Sequence, residues 1–588
     1  MSMAHLHCHT TYSANDSLCT AEQLVDKAVD LGMPAVAITD HGTMFGVPEM
    51  LSACKKKNGA AGSAIIKPIL GLEAYVTTGP LVSVRAKVIA GANPNIKQDT
   101  GHLTLLAMNM DGYRNLIHLA TQGYSKYLYR SKCRLPIEEI LQHNEGLIVL
   151  TGCMFSWFTL WVTRHYWMHR KLVAPHTTDN DPPPADPYAE LLDDYDAAYP
   201  LHASSWNPPY KDEFLQYALS NYHMLKKVLG DRLYVEMQDH GLPAQTLQRN
   251  FWLERVPDAQ FVASNDVHYI NKGDWDAQDF LTRLRFKGGV NTPTYSFRPI
   301  EYDREAGDKG NAYFKKREEF SENIQPEWLD RTLEVADRCN LSISQDKTLF
   351  PSVDTETREK IDECGDAVTF IRKICMESPR FKPEYMDRVD HELAVIGQMG
   401  YPEYFLIVKD IVDYAKSIGA QCGPGRGSVG GSLVAYLMGI HSANPVDAGL
   451  RFFRFLNAKR ISMPDIDLDF PKDARQQILQ WIEERYGKDR VCGIGTAGAN
   501  KAKRCIQSFG LLAGIEKHKV DRFNATLDDN VSFALIKESG DDKVEGLLNL
   551  LNSGAYVPAS CEPISLLERA EGSIGNYGKH AKIGRAHV

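Results

Sequence analysis

The chain has 588 residues, 43% apolar, 24% charged and 10% aromatic, a mixture that excludes a disordered or fibrous protein and predicts several globular domains of about 100–200 residues. No run approaches the ~18 consecutive apolar residues of a membrane span, and the opening MSMAHLHCHTTYS lacks the basic-then-apolar order of a signal peptide, so a cytoplasmic protein with no membrane partner is expected. Twelve cysteines without a CxxC pair argue against a disulfide framework or zinc finger. The formal charge of −9, from 66 basic and 75 acidic residues, argues against a protein coated in nucleic acid but not against a local basic groove.

The first predicted element is a helix in TAEQLVDKAVDLGM, with Thr20 as N-cap, Gln23 completing a capping box, and Leu24, Ala28 and Leu31 on one face. Short apolar runs follow, each carrying a metal-friendly residue near one end. PAVAITDHG ends in Asp40 and His41, KPILGLEAYV carries Glu73, GHLTLLAM opens with His102, and GLIVLTGC ends in Cys153. RLYVEMQDHG carries Glu236 and His240, and QFVASNDVHY ends in Asn265, Asp266 and His268. Strands alternating with helices predict a barrel of parallel strands, with the polar strand ends gathered at one mouth. At the N-terminus, His5-Leu-His7 puts two imidazoles on one face of an extended segment. Alone this is more often the pattern of solvent-exposed or hydrogen-bonded histidines than of metal ligands. Repeated His, Asp and Glu at strand ends favour a metal site, because buried ionisable groups are costly unless paired or metal-bound.

HLHCHTTYS, ITDHGTMFG, GLEAY, GHLTLLA, LTGC and SNDVHY together resemble the successive motifs of the polymerase-and-histidinol-phosphatase (PHP) family over about residues 1–280. The resemblance implies an α/β fold with a distorted (β/α) barrel, and a metal cluster held by His5, His7, Asp16, His41, Glu73, His102, Cys153, Asp266 and His268. Mixed imidazole and carboxylate ligands suit Zn²⁺ or Mn²⁺, and the Cys153 thiolate tilts toward Zn²⁺; its alternative is a small buried residue after a strand. From about 155 to 229 an insertion has no counterpart in the family. Its aromatic and basic start, with Arg164, His165, His169, Arg170 and Lys171, reads as an amphipathic packing element or as a stacking surface for single-stranded nucleic acid, and its proline-rich middle as a long loop.

Two amphipathic helices, LDRTLEVADRCN and HELAVIGQMG, lead to a strong helix pattern in GYPEYFLIVKDIVDYAKSIG. Gly423-Pro-Gly425-Arg426-Gly427-Ser428-Val-Gly430-Gly431 follows, a loop whose backbone N–H groups, with Arg426 and Ser428, suit a phosphate; it is not a Walker A loop, and a ligand-free turn is the alternative. Further on, Asp465, Asp467 and Asp469 alternate with Ile466, Leu468 and Phe470. As a strand this segment puts three carboxylates on one face, which repel unless cations lie among them; a solvated acidic edge is the alternative.

GPGRGSVGGSLVAY, FRFLNAKRISMPDIDLDF, EERYGKDRVCGIGTAGANKAK and NYGKHA resemble the palm and thumb motifs of the bacterial DNA polymerase III alpha family, in which a PHP domain precedes the polymerase. The resemblance implies a mixed α/β palm beginning at 285–496, a helical thumb over 497–574 with Lys501, Lys503 and Arg504 as phosphate contacts, and the start of a second palm segment at 575–582. It implies template-directed nucleotidyl transfer from dNTPs to a primer end, with Mg²⁺ on the catalytic Asp465 and Asp467, and Arg426, Gly427, Ser428, Arg454 and Arg460 on the triphosphate. Its partners are primer–template DNA and, in the intact family member, the sliding clamp, clamp loader and proofreading subunits. Phe453 departs from the glutamate usual before Arg454, and no exonuclease domain interrupts the PHP motifs, which speaks against the Gram-positive subtype. The family's third catalytic aspartate lies downstream of GKHA, here Gly578 to Ala581, and the tail 583–588 matches a translated sequencing adapter. A truncated chain unable to extend a primer is therefore expected. The rival readings are a PHP phosphoesterase or 3′–5′ exonuclease with a nucleic-acid-binding appendage, and a PHP cluster that only stabilises the fold.

Overall fold

The computed structural model describes residues 2–77, 100–129, 132–153, 156–158, 211–240, 243–285, 311–343, 352–457, 464–488, 490–491, 495–554 and 562–579. Most of the 155–229 insertion, together with Arg460 and the tail 583–588, lies outside them. The chain divides into two compact units, Met1–Ile343 with Ala497–Tyr577, and a second built on Ser344–Thr496. No helix among the described residues is long and apolar enough to cross a membrane.

The first unit is organised by a curled six-stranded sheet: β1 (Ala35–Ile38), β2 (Lys67–Thr77), β3 (Thr100–Ala107), β4 (Leu147–Leu150), β5 (Leu233–Met237) and β6 (Phe261–Ala263), in that spatial order. The pairs β1–β2, β4–β5 and β5–β6 are parallel. β3 is antiparallel to both neighbours, with Glu73 opposite Thr104 and Tyr75 opposite His102. The expected all-parallel barrel is corrected here. Because β3 runs the other way, His102, near its start, reaches the rim that the other strands reach at their far ends.

The N-terminal segment closes the sheet. His5 bridges Val36 in β1 and Cys8 bridges Val267 just past β6, and Ala37 and Thr39 donate to the carbonyls of His5 and Cys8 at 2.8 Å each.

The strands are buried on both faces, as their near-continuous apolar sequences require. Val36, Leu70, Leu72, Leu105, Val149 and Val235 pack outward against helices that include Ala21–Asp30 and Met110–Ser125. The first of these helices carries the expected Thr20–Gln23 capping box. Ala37, Ile69, Leu106, Ile148, Tyr234 and Val262 cluster on the other face with Val335 and Ala336 of helix Pro326–Arg338. Moving along that inner face two residues at a time leads to His41, Glu73, Thr104 and His102, Glu236 and Asp266. Apolar packing at one depth becomes polar chemistry at the next.

Helices between Ala502 and Ala570, the region read as a thumb, belong to the first unit and form a core in which Phe280 and Leu281 of helix Trp275–Arg285 join Phe509, Phe533 and Leu567. At the described start of the insertion, Trp157 and Phe158 are buried in the barrel core, as a packing element would be.

The second unit is helical, with Ile371, Val389, Leu393, Phe405, Leu433 and Phe452 in its core. The three sequence-predicted helices appear as Pro326–Arg338, Met386–Gln398 and Pro402–Ser417.

Gly101 marks the tightest approach at the rim. A Cβ there would lie 2.3 Å from Trp157 Cα and 2.7 Å from its amide nitrogen, and backbone cannot move aside cheaply. Gly101→Ala is expected to destabilise the first unit by about 1–3 kcal/mol; an unchanged denaturation midpoint would contradict this packing.

Candidate functional site

His7 and His9 face the barrel mouth from alternate positions of the closing segment, with their Nε2 atoms 3.1 Å apart. Asp266 Oδ1 lies 3.3 Å from His7 Nε2 and 3.1 Å from His9 Nε2, while the two oxygens of Glu73 approach the same atoms at 3.4 and 3.6 Å. Glu73 also meets His102 Nδ1 at 2.8 Å and is in close contact with His41 Nδ1. Asp16 holds the other nitrogen of His41 at 2.8 Å. The His268 ring is 4.4 Å from that of His9, and Cys153 Sγ is 3.4 Å from both Glu73 Oε1 and His102 Nδ1. All the expected ligands except His5 therefore converge.

His5 is the exception. Its Nε2 lies 2.8 Å from the Lys315 carbonyl, its ring packs 4.2 Å from that of Phe314, and burial pushes its pKa down to about 4, the state of a neutral core imidazole. His9 stands in the cluster instead. Residues 5, 7 and 9 alternate identically, so periodicity cannot choose among them; depth in the barrel does, because His5 pairs beside Val36 while the His9 amide bonds Val267 at the mouth. The triplet in HLHCH was the available signal.

Glu236 is a further participant. It accepts from His7 Nδ1 at 2.7 Å and is itself held by Gln238 and Ser264, the arrangement that orients a ligating imidazole.

The electrostatics suit a divalent ion. His9 is driven down to about 3 by burial and then by His41 and His268, which leaves its lone pair free. Burial opposes the charging of His7 too, but Glu236 and Asp266 outweigh it, and His7 stays well above the ordinary histidine value. His41 behaves likewise under Tyr75 and Glu73. Burial raises Glu73, yet His102 and His41 hold it well below the ordinary carboxylate range. His41 Nδ1, Glu73 Oε2 and Asp266 Oδ1 are buried without a hydrogen bond, although oppositely charged atoms crowd them. Asp266 also holds a left-handed backbone, φ 46°, a cost that persists only where the surroundings enforce it. Orphaned donor atoms aimed at one point fit a bound divalent cation.

In the second unit the glycine loop and the carboxylate segment meet. The segment makes a single antiparallel bridge, Asp467 to Arg426, rather than the expected strand. The loop cannot continue a ladder, because Gly425 and Gly427 take φ 111° and 76°. The alternation survives: Ile466 and Leu468 pack on the helical core, Asp465 and Asp469 are exposed, and Asp467 is half-buried. Arg426 Nε is 3.6 Å from Asp467 and Nη1 is 3.8 Å from Asp469. Ser428 is exposed on the loop, Arg454 is exposed on the turn Phe452–Arg454, and Phe453 lies with the Arg451 guanidinium 6.0 Å from its ring.

Glu392, in a helix that offered no chemistry at the sequence level, anchors this loop from behind. Wholly buried, it accepts from Ser432 Oγ and from the amides of Leu433 and Val434 at 2.9–3.1 Å, while Arg388 ties it to the Gly431 carbonyl. Lys501 and Lys503, read as phosphate contacts, reach Asn530 and Asp529.

Because His7 and His41 are held protonated near neutral pH, and an ion requires their lone pairs, loading the barrel must expel protons. Affinity for Zn²⁺ or Mn²⁺ is therefore expected to rise with pH through the neutral range. Titration calorimetry in two buffers of different ionisation heat should register net proton release; none would mean that the two imidazoles stay outside the coordination.

The description "PHP domain" matches residues 5–240, and "Bacterial DNA polymerase III alpha NTPase domain" matches 360–582. The chain is similar to the DNA polymerase III subunit alpha of Aquifex aeolicus, 31% identical over 543 residues that cover 88% of this chain and 40% of that protein. It is similar to the same subunit of Chlamydia muridarum, 29% identical with 99% and 45% covered, and of Escherichia coli O6:H1, 30% identical with 98% and 44% covered. The chain thus spans less than half the length of these relatives. The barrel carrying the histidine–carboxylate cluster and the glycine loop on its paired carboxylates occur in that order along almost the whole chain, and this protein belongs to the bacterial DNA polymerase III alpha family.

Proposed function

We propose that this chain carries part of the machinery of a DNA-directed DNA polymerase, which transfers nucleotides from dNTPs to a primer end on a DNA template. One observation carries the reading: Gly427, in a loop of exposed backbone, comes within 3.7 Å of Asp467 through the position of its missing Cβ, and Arg426 lies beside the same carboxylate. A nucleotide needs donors for its phosphates and carboxylates for its cations at such a junction. Asp465 and Asp467 are the residues to hold Mg²⁺, which when bound neutralises the triphosphate and polarises the attacking hydroxyl. Gly427 and Ser428 offer backbone and hydroxyl donors, Arg426 and Arg454 offer charge, and Arg460, outside the described residues, is assigned with them. Primer–template DNA is the partner this chemistry requires; the sliding clamp, clamp loader and proofreading subunits belong to the same assembly, and the cytoplasm is its compartment.

Mn²⁺, a spectroscopic substitute for Mg²⁺, should bind the purified chain more tightly in the presence of a dNTP. Asp465→Ala with Asp467→Ala should weaken that dNTP-dependent binding at least tenfold, about 1.4 kcal/mol, by electron paramagnetic resonance. Equal binding by parent and variant would remove the assignment.

A second reading concerns the barrel, and a different observation favours it. Asp16, His41 and His102 are 11–12% exposed, so the cluster opens to solvent instead of being sealed as a structural site. Cys153 and Glu236 also border a polar cavity lined by Gln238, Gln245, Gln248 and Arg249. Zn²⁺ or Mn²⁺ held by the cluster would supply a Lewis acid and an activated water for phosphoester hydrolysis, with His41 and Asp16 among its ligands at the edge open to solvent. His9→Gln should lower Mn²⁺-dependent release of 3′-terminal nucleotides from single-stranded DNA at least tenfold, while His5→Gln, altering a residue outside the cluster, should leave the metal requirement unchanged. Hydrolysis indifferent to His9→Gln would leave the cluster as a stabilising element only.

A further inference from the structure

A second group of ligating side chains lies away from the barrel mouth. His118 comes from helix Met110–Ser125, Glu139 from the short helix Ile137–Gln142, and His143 caps that helix. His118 Nε2 is 3.1 Å and His143 Nε2 is 3.9 Å from Glu139 Oε1, and the three residues offer one ligand atom each within 4.8 Å of one another. A tetrahedral ion with bonds of 2.0–2.1 Å separates its ligands by about 3.3 Å, between these two spacings.

The imidazole centroids lie 3.8 Å apart with planes tilted by 33°. Two further features favour an ion over a simple hydrogen-bonded cluster. Tyr127 Oη donates to the other carboxylate oxygen, Oε2, at 2.9 Å, which leaves Oε1 directed at the two rings. The positions are also held: the His143 amide closes the helical turn on the Glu139 carbonyl at 3.2 Å, which puts the two side chains on one face of that turn. The histidines are about one-third exposed and Glu139 is 13% exposed, so an ion would be reached from solvent and keep a coordination position for water.

We propose that His118, Glu139 and His143 form a second divalent-metal site, separate from the barrel cluster and selective for Zn²⁺-class ions over Mg²⁺. Two imidazoles and one carboxylate are the donor set for that class, whereas Mg²⁺ prefers an all-oxygen shell. Its effect is mechanical: the ion ties helix Met110–Ser125 to the turn that precedes β4, and so braces the wall of the barrel from outside.

The full chain is equilibrated with Zn²⁺ at a chelator-buffered micromolar free concentration, freed of excess, and its zinc counted by atomic emission beside His118→Gln and His143→Gln. Each variant is expected to carry one equivalent fewer than the parent, with the barrel's zinc retained. Both should also lose the part of the zinc-induced rise in melting temperature that this site supplies, while melting like the parent without metal; Mg²⁺ should reproduce neither effect. Equal zinc content in parent and variants overturns the proposal, as does a Mg²⁺-induced rise in melting temperature that both variants lose. The barrel reading is untouched by either result, because its ligands are unaltered in both variants.

Discussion

The barrel depends on a five-residue extended segment. His5–His9 bonds to Val36 and Ala37 on one side and to Val267 on the other, and these contacts join the first and last strands of the sheet. Without that closure, β1 and β6 would present open edges, and Glu73, near one end of the sheet order, would have no counterpart for Asp266 near the other. The same residues that seal the fold carry two imidazoles of the cluster, so closure and site assembly are one event.

Charge burial follows from this geometry and has to be compensated. His7, His9, Glu73, Asp266 and His268 are all essentially inaccessible to water. A buried charge costs several kcal/mol unless paired, and mutual pairing alone leaves atoms of His41, Glu73 and Asp266 without hydrogen bonds. Cations resolve the imbalance more completely than protons, since one ion satisfies several donors together. The left-handed backbone at Asp266 belongs to the same account, a local cost held in place by the closed barrel around it.

The second unit solves a similar problem with less burial. Its carboxylates stay at the surface and are tempered by Arg426, while the strain-prone glycine loop is pinned from its buried side by Glu392 and Arg388. Removing that carboxylate would leave the Leu433 and Val434 amides without partners and the Ser432 hydroxyl without an acceptor in an apolar core, so the loop's shape rests on a residue that touches none of the surface chemistry.

Much of this was legible beforehand. Short apolar runs marked β1, β4 and β5, the Thr20 capping box marked a helix start, and His41, Glu73, Asp266 and His268 stood out as polar residues at strand ends. The face on which each ligand lies, and the alternation of Asp465, Asp467 and Asp469 with apolar neighbours, follow from a two-residue period that is local to the chain. Depth and direction are not local. His9 rather than His5 joins the cluster because the closing segment slides to one register against Val36 and Val267. His102 reaches the mouth because β3 runs antiparallel. Glu392 matters because a helix forty residues upstream packs under the loop. Periodicity therefore determined which side chains turn inward; strand pairing between distant segments decided which of them meet, because a register shift moves a residue along the barrel without altering its pattern.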